Sequence, residues 1–574
     1  MIASIVTDVA GLDKEFDYLV PEAMAASVTI GTEVRVPLGG RRVGGWVVGF
    51  PYRAHQGMEL KAVAKVRGHG PEAELVDLAG WAAWRWAGKR SWFLKAASPG
   101  FAATRLPPFR GRPRPPARPA RTPLALPDGP GVHILRLAPA TDPTAVVAEA
   151  AQRGPILAVV PTSSRAAVLA ARLRRAGGDV AVLPEDWARA RAGGAAVVVG
   201  ALTAAWGPCP DLAAAVVLDA HDEGLTAEGA PTWSALGVLE ERTARRDAPL
   251  FALSPCPPLE LLARGTLTTS ERSAEQSGWA LTEVIDRRAD DPRLGLWSER
   301  LVQAARSATP EARLACVLNR TGRVRLLACV ACGEVARCEV CAAAVNAPEP
   351  GGLFCPRCGH GRPSVCARCG STALKALRIG VTRAREQLEA LIGRPVGELT
   401  ATATEVPGAE VIIGTEALLR RLDPGSQVSA VAYVDFDQEL LAPRVRAADE
   451  ALALLALGSR LVRGRPGRLL VQTRLPDDPV LNAARSADPS VALEGQEDLR
   501  RALRLPPFGS LAVVYGDAAA GWVTRLAEVE VVGPDSAGRW MVKADGATGL
   551  CNALSSVPRP STGSLRVAVE PGRL

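Results

Sequence analysis

Between Cys329 and Cys369 the chain carries four Cys-x-x-Cys pairs: Cys329/Cys332, Cys338/Cys341, Cys355/Cys358 and Cys366/Cys369. They hold eight of its twelve cysteines. Two thiolates at that spacing chelate one tetrahedral ion with zinc–sulfur bonds near ~2.3 Å, and any two pairs close a four-thiolate site. Gly333, Gly359 and Gly370 follow three of the pairs and free backbone amides to turn toward sulfur. Disulfides are the competing use of these residues, but a cytoplasmic chain keeps thiols reduced, and repetition of the motif favours metal. The expectation is two Zn2+ per chain, with iron in a rubredoxin-like site as the rival. No histidine or carboxylate completes a pair and no coordination position is left open, so the metal is expected to be structural.

Three pairings of the four motifs exist. The nested one joins Cys338/Cys341 with Cys355/Cys358 across 13 intervening residues and leaves Cys329/Cys332 to meet Cys366/Cys369. Sequential pairing would close its first site over only five residues. Nested pairing is favoured. Cys209, Cys256, Cys316 and Cys551 are isolated and read as packing residues.

A chain of 574 residues exceeds one hydrophobic core and predicts several domains. Short strands are expected over 16–20, 33–37 and 45–49, broken by Gly39, Gly40 and Pro51, and a helical pattern over 71–98. Residues 106–130 are rich in Pro and Arg and exclude helix or central strand, which predicts a solvated, semi-rigid linker. From 156 onward, apolar β-branched runs alternate with helical patterns, stop at the cysteines and resume at 411–413, 430–434 and 468–472. That alternation predicts parallel sheets covered by helices on both faces.

Charge is unevenly placed. Residues 1–122 hold 18 Lys and Arg against 10 Asp and Glu, so the formal +8 of the whole chain resides there and the rest balances at 50 against 50. The cysteine segment is locally basic as well. Two separated basic regions fit a polyanion, although only seven lysines are present and arginine-rich codon usage accounts equally well for the excess. The opening residues lack a basic stretch followed by an apolar one, and no run approaches the ~20 apolar residues of a membrane helix. A soluble, cytoplasmic protein with no membrane partner is expected.

Specific motifs carry a resemblance. FDYLVP (16–21) followed by VRVPLGGRRVGG (34–45), VVVGALTAAWGPCPDLAAAVVLDAHDEG (197–224), LNRTG (318–322) leading into the cysteines, VIIGTEALLRRLD, VDFDQELLAPRVRAADEALALL, LRLPPFGSLA and a closing LRVAVEP together resemble the PriA-type replication restart proteins over most of the chain. The resemblance implies a multidomain α/β fold. Its parts are a 3′-end-binding β domain (1–70), a vestigial winged-helix-like segment (71–105), the linker (106–130), a first RecA-like lobe (131–320), the zinc module (321–377), a second lobe (378–475) and an α+β C-terminal domain (476–574). It also implies that Phe16, Asp17, Gly39 and Lys61 form the pocket for a nascent strand's 3′ end. An aromatic face for a terminal base, a carboxylate for the 3′ hydroxyl and a lysine for phosphate suit that role. A core Phe, a turn Asp and a surface Lys are the plainer alternative.

The same resemblance exposes losses. A phosphate-gripping loop needs glycines and a lysine, but LAPATDPTAVVAEAAQRG stands there, with Pro139, Pro143 and no lysine. Aligned on His221 and Asp222, the metal-holding acidic pair becomes Leu218 and Asp219, with Ala220 beside them, and SPCPP (254–258) replaces a Ser-Ala-Thr-like box. ALGSRLVR keeps Arg460 and Arg463 as arginine-finger candidates. ATP is therefore not expected as a cofactor. The predicted function is non-enzymatic: recognition of abandoned replication forks, with single-stranded DNA-binding protein, primosome and helicase-loading proteins as partners at the nucleoid. A residual ATP-dependent 3′–5′ helicase and a zinc-bearing interaction scaffold are the alternatives.

Overall fold

A computed structural model of the chain describes residues 1–9, 12–52, 60–109, 111–290, 295–319, 327–347, 352–355, 357–376, 380–400, 403, 405–535, 537–560 and 562–572. Residues 320–322 of the LNRTG motif lie outside these, as does Arg110 of the Pro/Arg stretch.

The N-terminal strands are Ile2–Thr7, Glu15–Leu19, Glu33–Leu38, Arg41–Gly49 and Lys65–Gly68, and every pairing among them is antiparallel. Alternation places Ala3, Ile5, Tyr18, Val34, Val36 and Val47 in one core. The segment leading to the last strand closes the sheet on itself. The Leu19 amide donates to the Lys61 carbonyl and the Val63 amide to the Leu19 carbonyl, both at 2.9 Å, while the Ala64 amide donates to Arg35. A small barrel results, and closure leaves no long unpaired edge.

Helices Ala73–Arg85 and Arg90–Ala97 cover the barrel's outer face, where Val6 and Trp46 join their core and the Trp46 indole donates to Ser98 at 2.7 Å. This segment, expected to be winged-helix-like, holds two helices and, among the described residues, no strand. It is a hub. Trp86, Phe93, Trp206 and Trp233 form a chain of ring contacts into the first lobe, and Trp84 and Arg85 reach Asn552 and Glu570 of the C-terminal domain.

The Pro/Arg stretch is mostly exposed, as its composition suggests, but it is anchored along the first lobe. The Ala117 amide donates to Ala176, Arg114 exchanges bonds with Asp179, the Gln152 side chain donates to the Pro116 carbonyl, and Leu124 is buried in the first lobe. The non-proline residues of the stretch donate and its carbonyls accept, so it is strapped to the lobe by both kinds of bond.

Two parallel sheets follow. The first runs in the order Thr266–Thr269, Gly131–Arg136, Pro249–Ser254, Ala214–Val217, Ile156–Val159, Val197–Gly200, Val180–Val182. The second runs Leu281–Asp286, Arg468–Thr473, Val428–Tyr433, Arg313–Val317, Val411–Gly414, Gly397–Leu399. Because Leu281–Asp286 and Arg313–Val317 pair within the second sheet, the lobe boundary expected at 320 falls instead between 269 and 281. The cysteine module is thus inserted inside the second lobe, after its strand Arg313–Val317. Non-local pairing decided this, and no local pattern at 320 could show it. The C-terminal domain is an antiparallel sheet, Glu530–Val532, Trp540–Ala544, Ser510–Tyr515, Arg566–Val569, backed by helix Ala547–Ser556. Among the described residues no helix is long and apolar enough to cross a membrane.

Candidate functional site

Three places carry chemistry. In the barrel, Phe16 faces Ile5 and Asp17 faces Ser4 across the first strand pair. Successive side chains alternate, so Phe16 lies half-buried against the barrel core beside Tyr18 while Asp17 turns outward. The Ser4 hydroxyl donates to the Asp17 carboxylate at 2.7 Å and fixes its orientation. Lys61 is exposed and joined through its carbonyl to Leu19, two residues from Asp17 on the same strand. Gly39, at φ +54°, makes the turn between Glu33–Leu38 and Arg41–Gly49, and the Tyr18 hydroxyl crosses to Pro37 beside it at 3.1 Å. The structure therefore sets Asp17 and Lys61 on adjoining backbone. Phe16 lies on the opposite face of that strand and Gly39 at the neighbouring turn.

The second place is the cleft between the lobes. Arg460, on helix Ala447–Leu461 of the second lobe, grips both oxygens of Asp219 at 2.9 and 2.6 Å, and its Nε donates to the Pro139 carbonyl at 3.1 Å. Arg165 bonds the same carboxylate from helix Ser163–Arg175. Burial alone would raise the Asp219 pKa, but the two guanidiniums overcome it and hold the carboxyl well below the usual carboxylate range. A cavity of only about 20 Å³ remains among Leu137, Thr141, Pro143, Asp219 and Arg460. The helix Thr144–Ala150, which follows the strand Gly131–Arg136, starts after Pro143 with no side-chain cap. Nearby, Ser254 and His221 are hydrogen-bonded at 2.9 Å, so the two altered boxes named from the sequence do meet in space. Arg420–Asp222 and Arg446–Glu260 ion pairs, at 2.6 and 2.8 Å, also cross between the lobes. Sequence reasoning named Arg460 and Asp219 separately but missed their pairing and Arg165 altogether. An arginine in the last turn of one lobe's helix and an acid at the end of the other's strand give no joint signal in sequence.

The third place is the cysteine module. Cys329, Cys332, Cys366 and Cys369 form one group and Cys338, Cys341, Cys355 and Cys358 another, with all sulfurs of a group within 4.8 Å of one another. Sulfur separations of 3.5 Å for Cys329–Cys369, Cys338–Cys358 and Cys341–Cys355, and 3.6 Å for Cys332–Cys366, suit a tetrahedron of ~2.3 Å bonds. Each Cys-x-x-Cys folds the same way. The amide of the residue after the motif donates to the carbonyl of its first cysteine, at Gly333, Ala342, Gly359 and Gly370. The three glycines sit near φ +72° to +75°, and Ala342 adopts φ +58° in the one motif that lacks glycine. Amides of Cys332 and Ala331 aim at Cys329 and push its thiol below the ordinary thiol range, whereas Cys332 of the same group is held above it, so the clustered thiols keep a proton until a cation replaces it. Short strand pairs, Leu327–Cys329 with Leu374–Ala376 and Leu353–Phe354 with Gly361–Arg362, frame the two groups, and the Ala344 amide docks the module on Leu441 of the second lobe.

The described chain thus combines a closed β barrel, two tandem parallel-sheet lobes and an inserted module with two four-cysteine groups. Residues 4–99 match the sequence model of the 3′DNA-binding domain (3′BD) of PriA. Relatives extend the likeness. A probable replication restart protein PriA of Mycobacterium tuberculosis is 26% identical over 90% of this chain and 86% of its own length, and the Mycobacterium leprae protein is 28% identical over 89% and 86%. The Thermotoga maritima PriA is 24% identical over 57% of this chain, and there the match spans about half of that relative's length, 47%. Among solved structures, S. cerevisiae Dbp5 bound to RNA and ADP BeF3 covers 65% of this chain and 89% of its own at 12% identity, with a TM-score of 0.36. The chain is thus similar to PriA replication restart proteins over most of its length.

Proposed function

We propose that the protein recognises stalled or abandoned replication forks and promotes primosome assembly and helicase loading without unwinding DNA itself. The observation that carries this reading is the N-terminal barrel, which holds Asp17 and Lys61 on adjoining backbone inside the residues matched by a 3′DNA-binding domain. Asp17 would accept from the terminal 3′ hydroxyl and Lys61 would meet phosphate beside the Gly39 turn, while Phe16, on the core side of the same strand, would hold in place the backbone that presents Asp17. Support for a non-enzymatic role comes from the cleft. Arg460 and Arg165 occupy the Asp219 carboxylate with charge of their own, and Pro139 and Pro143 stand where backbone amides would have to meet phosphate. Two zinc ions, held by the two cysteine groups, would cross-link a module too small to fold on its own apolar core. Single-stranded DNA-binding protein, primosome components and a helicase loader are the partners this role requires, in a cytoplasmic, nucleoid-associated setting.

The test compares forks with and without a nascent 3′ end at the junction by fluorescence anisotropy. The 3′-ended fork should bind about tenfold more tightly, a difference of roughly one hydrogen-bonded charge contact, and Asp17→Ala should abolish most of that preference. Equal binding of both forks, or an unaltered preference in Asp17→Ala, would remove the reading. Phosphate release from ATP should stay at background with or without forked DNA.

A further inference from the structure

The cysteines of this chain differ sharply in their access to solvent. Cys209, Cys256, Cys316 and Cys551, outside the module, are buried, and burial pushes their thiols up, away from the reactive thiolate. Inside the module the sulfurs of each group are unequally covered. Cys329, Cys338, Cys355 and Cys366 are buried, Cys332 and Cys341 are half-buried, and Cys358 and Cys369 are exposed. Each group thus has one member open to solvent, and in both it is the second cysteine of the later motif.

The turns beside these two sulfurs are open as well. Gly359 and Gly370 follow the exposed cysteines at φ +75° and +73°, and a Cβ added to either would meet nothing within 4 Å. A small solute therefore reaches Cys358 and Cys369 with no movement of the protein. Each exposed sulfur also has a second one at hand, since Cys358 lies 3.5 Å from Cys338 and Cys369 lies 3.5 Å from Cys329. An accessible thiolate poised next to a resolving cysteine is the arrangement of a reversibly oxidised site.

We infer that in the zinc-loaded protein, on the two-zinc reading, Cys358 and Cys369 are sites of reversible oxidation by hydrogen peroxide, which ends in disulfides to Cys338 and Cys329 and empties the two metal groups. The exposed sulfur gives an electron pair to one peroxide oxygen, the O–O bond breaks, and the other oxygen leaves as hydroxide, which takes up a proton to become water. The cysteine is left as a sulfenic acid. The neighbouring thiolate attacks that sulfur, the S–O bond breaks, and a second hydroxide leaves and is protonated to water. Two thiolates have given up two electrons and one peroxide has gained them. With two of its four thiolates joined, a group no longer holds its cation.

The effect reaches the second lobe. Cys338 and Cys355 belong to the module's small apolar cluster with Leu327, Ala343, Val345 and Leu353, and close after Cys341 the Ala344 amide docks on the Leu441 carbonyl at 3.0 Å. Val335 and Ala344 pack against the same Leu441. So small a cluster depends on its metal to stay folded. Peroxide should release this docking edge while the cores of the second lobe, which contain none of the module's sulfurs, stay intact.

The full-length protein is first assayed for zinc, which tests the metal reading by itself, and is then treated with limiting hydrogen peroxide while a chromogenic chelator reads free metal. Release should follow one peroxide per zinc ion, and dithiothreitol with added zinc should reverse it. Alkylation and peptide mapping of the part-oxidised protein should find Cys358 joined to Cys338 and Cys369 to Cys329, and amide hydrogen exchange should rise at Ala344. Histidine replaces thiolate at structural zinc sites, so Cys358→His should still load and should cut the release from two ions per chain to one. Zinc retained under a large excess of peroxide overturns the inference, as does first oxidation at the buried Cys355 or Cys366, or unchanged exchange at Ala344 after the metal has gone. If Cys358→His fails to load zinc, the linkages mapped in the wild type decide alone.

Discussion

At the scale of single residues, three positions hold charge or backbone in states that the sequence alone would not favour. Asp219 carries the ion pairs of Arg460 and Arg165 in a buried cleft, with its own backbone at φ +52°. Breaking a buried pair strands the partners' charge, so Asp219→Ala should cost about 3–5 kcal/mol in urea unfolding. Because folding depresses this carboxyl's pKa, its contribution is complete above the unfolded value near ~3.9 and disappears only as pH falls below it. The second residue is Ala342. A left-handed alanine is strained by ~1–2 kcal/mol, so Ala342→Gly should hold its metal more tightly, by up to about 1 kcal/mol after glycine's extra chain entropy. Competition with a chromogenic chelator measures it. Asp437 behaves oppositely to Asp219. Burial, then Asp435, raise it to about 6, even though Thr473 and the Arg474 amide bond it. A raised acid stabilises the fold while protonated and loses that contribution as pH climbs from ~4 to 6. Asp437→Asn should therefore gain on the wild type by on the order of 2–3 kcal/mol between pH 4 and pH 7.

Elements show how far local pattern reaches. Strands with strong β-branched runs, such as Val197–Gly200 and Val411–Gly414, are found where alternation predicts them. Edge strands escaped: Thr266–Thr269 and Leu281–Asp286 are largely exposed or half-buried and carry little apolar signal. The linker's exposure was legible in its composition but its anchoring was not, because composition reports what a segment lacks, not which neighbours bond its backbone. The cysteine module is the most local element of all. Its turns repeat at every motif, and its sulfur groups follow the nested order that spacing favours. We expect about two zinc ions per chain by elemental analysis, and Cys338→Ser should halve that content while leaving the lobes' melting transition in place.

For the whole molecule, the lobes are joined by ion pairs at Arg460, Arg420 and Arg446, and helix Ala73–Arg85 ties barrel, first lobe and C-terminal domain together. On the proposed non-enzymatic reading, a cleft held shut by its own side chains has no differential affinity to offer a nucleotide, so no population shift should follow from adding one. Small-angle scattering curves with and without a non-hydrolysable ATP analogue should superimpose, whereas Arg460→Ala should expand the particle.

The linear chain is enough to read the four cysteine motifs and their nested grouping, because each depends on residue type and spacing within a few turns of chain. The folded chain was needed to learn that the module sits inside the second lobe, that the barrel closes through Lys61 and Val63 and that Asp219 is clamped from both lobes. Those features join residues tens to hundreds of positions apart, where hydrogen-bond register and charge pairing across separate elements leave no local trace.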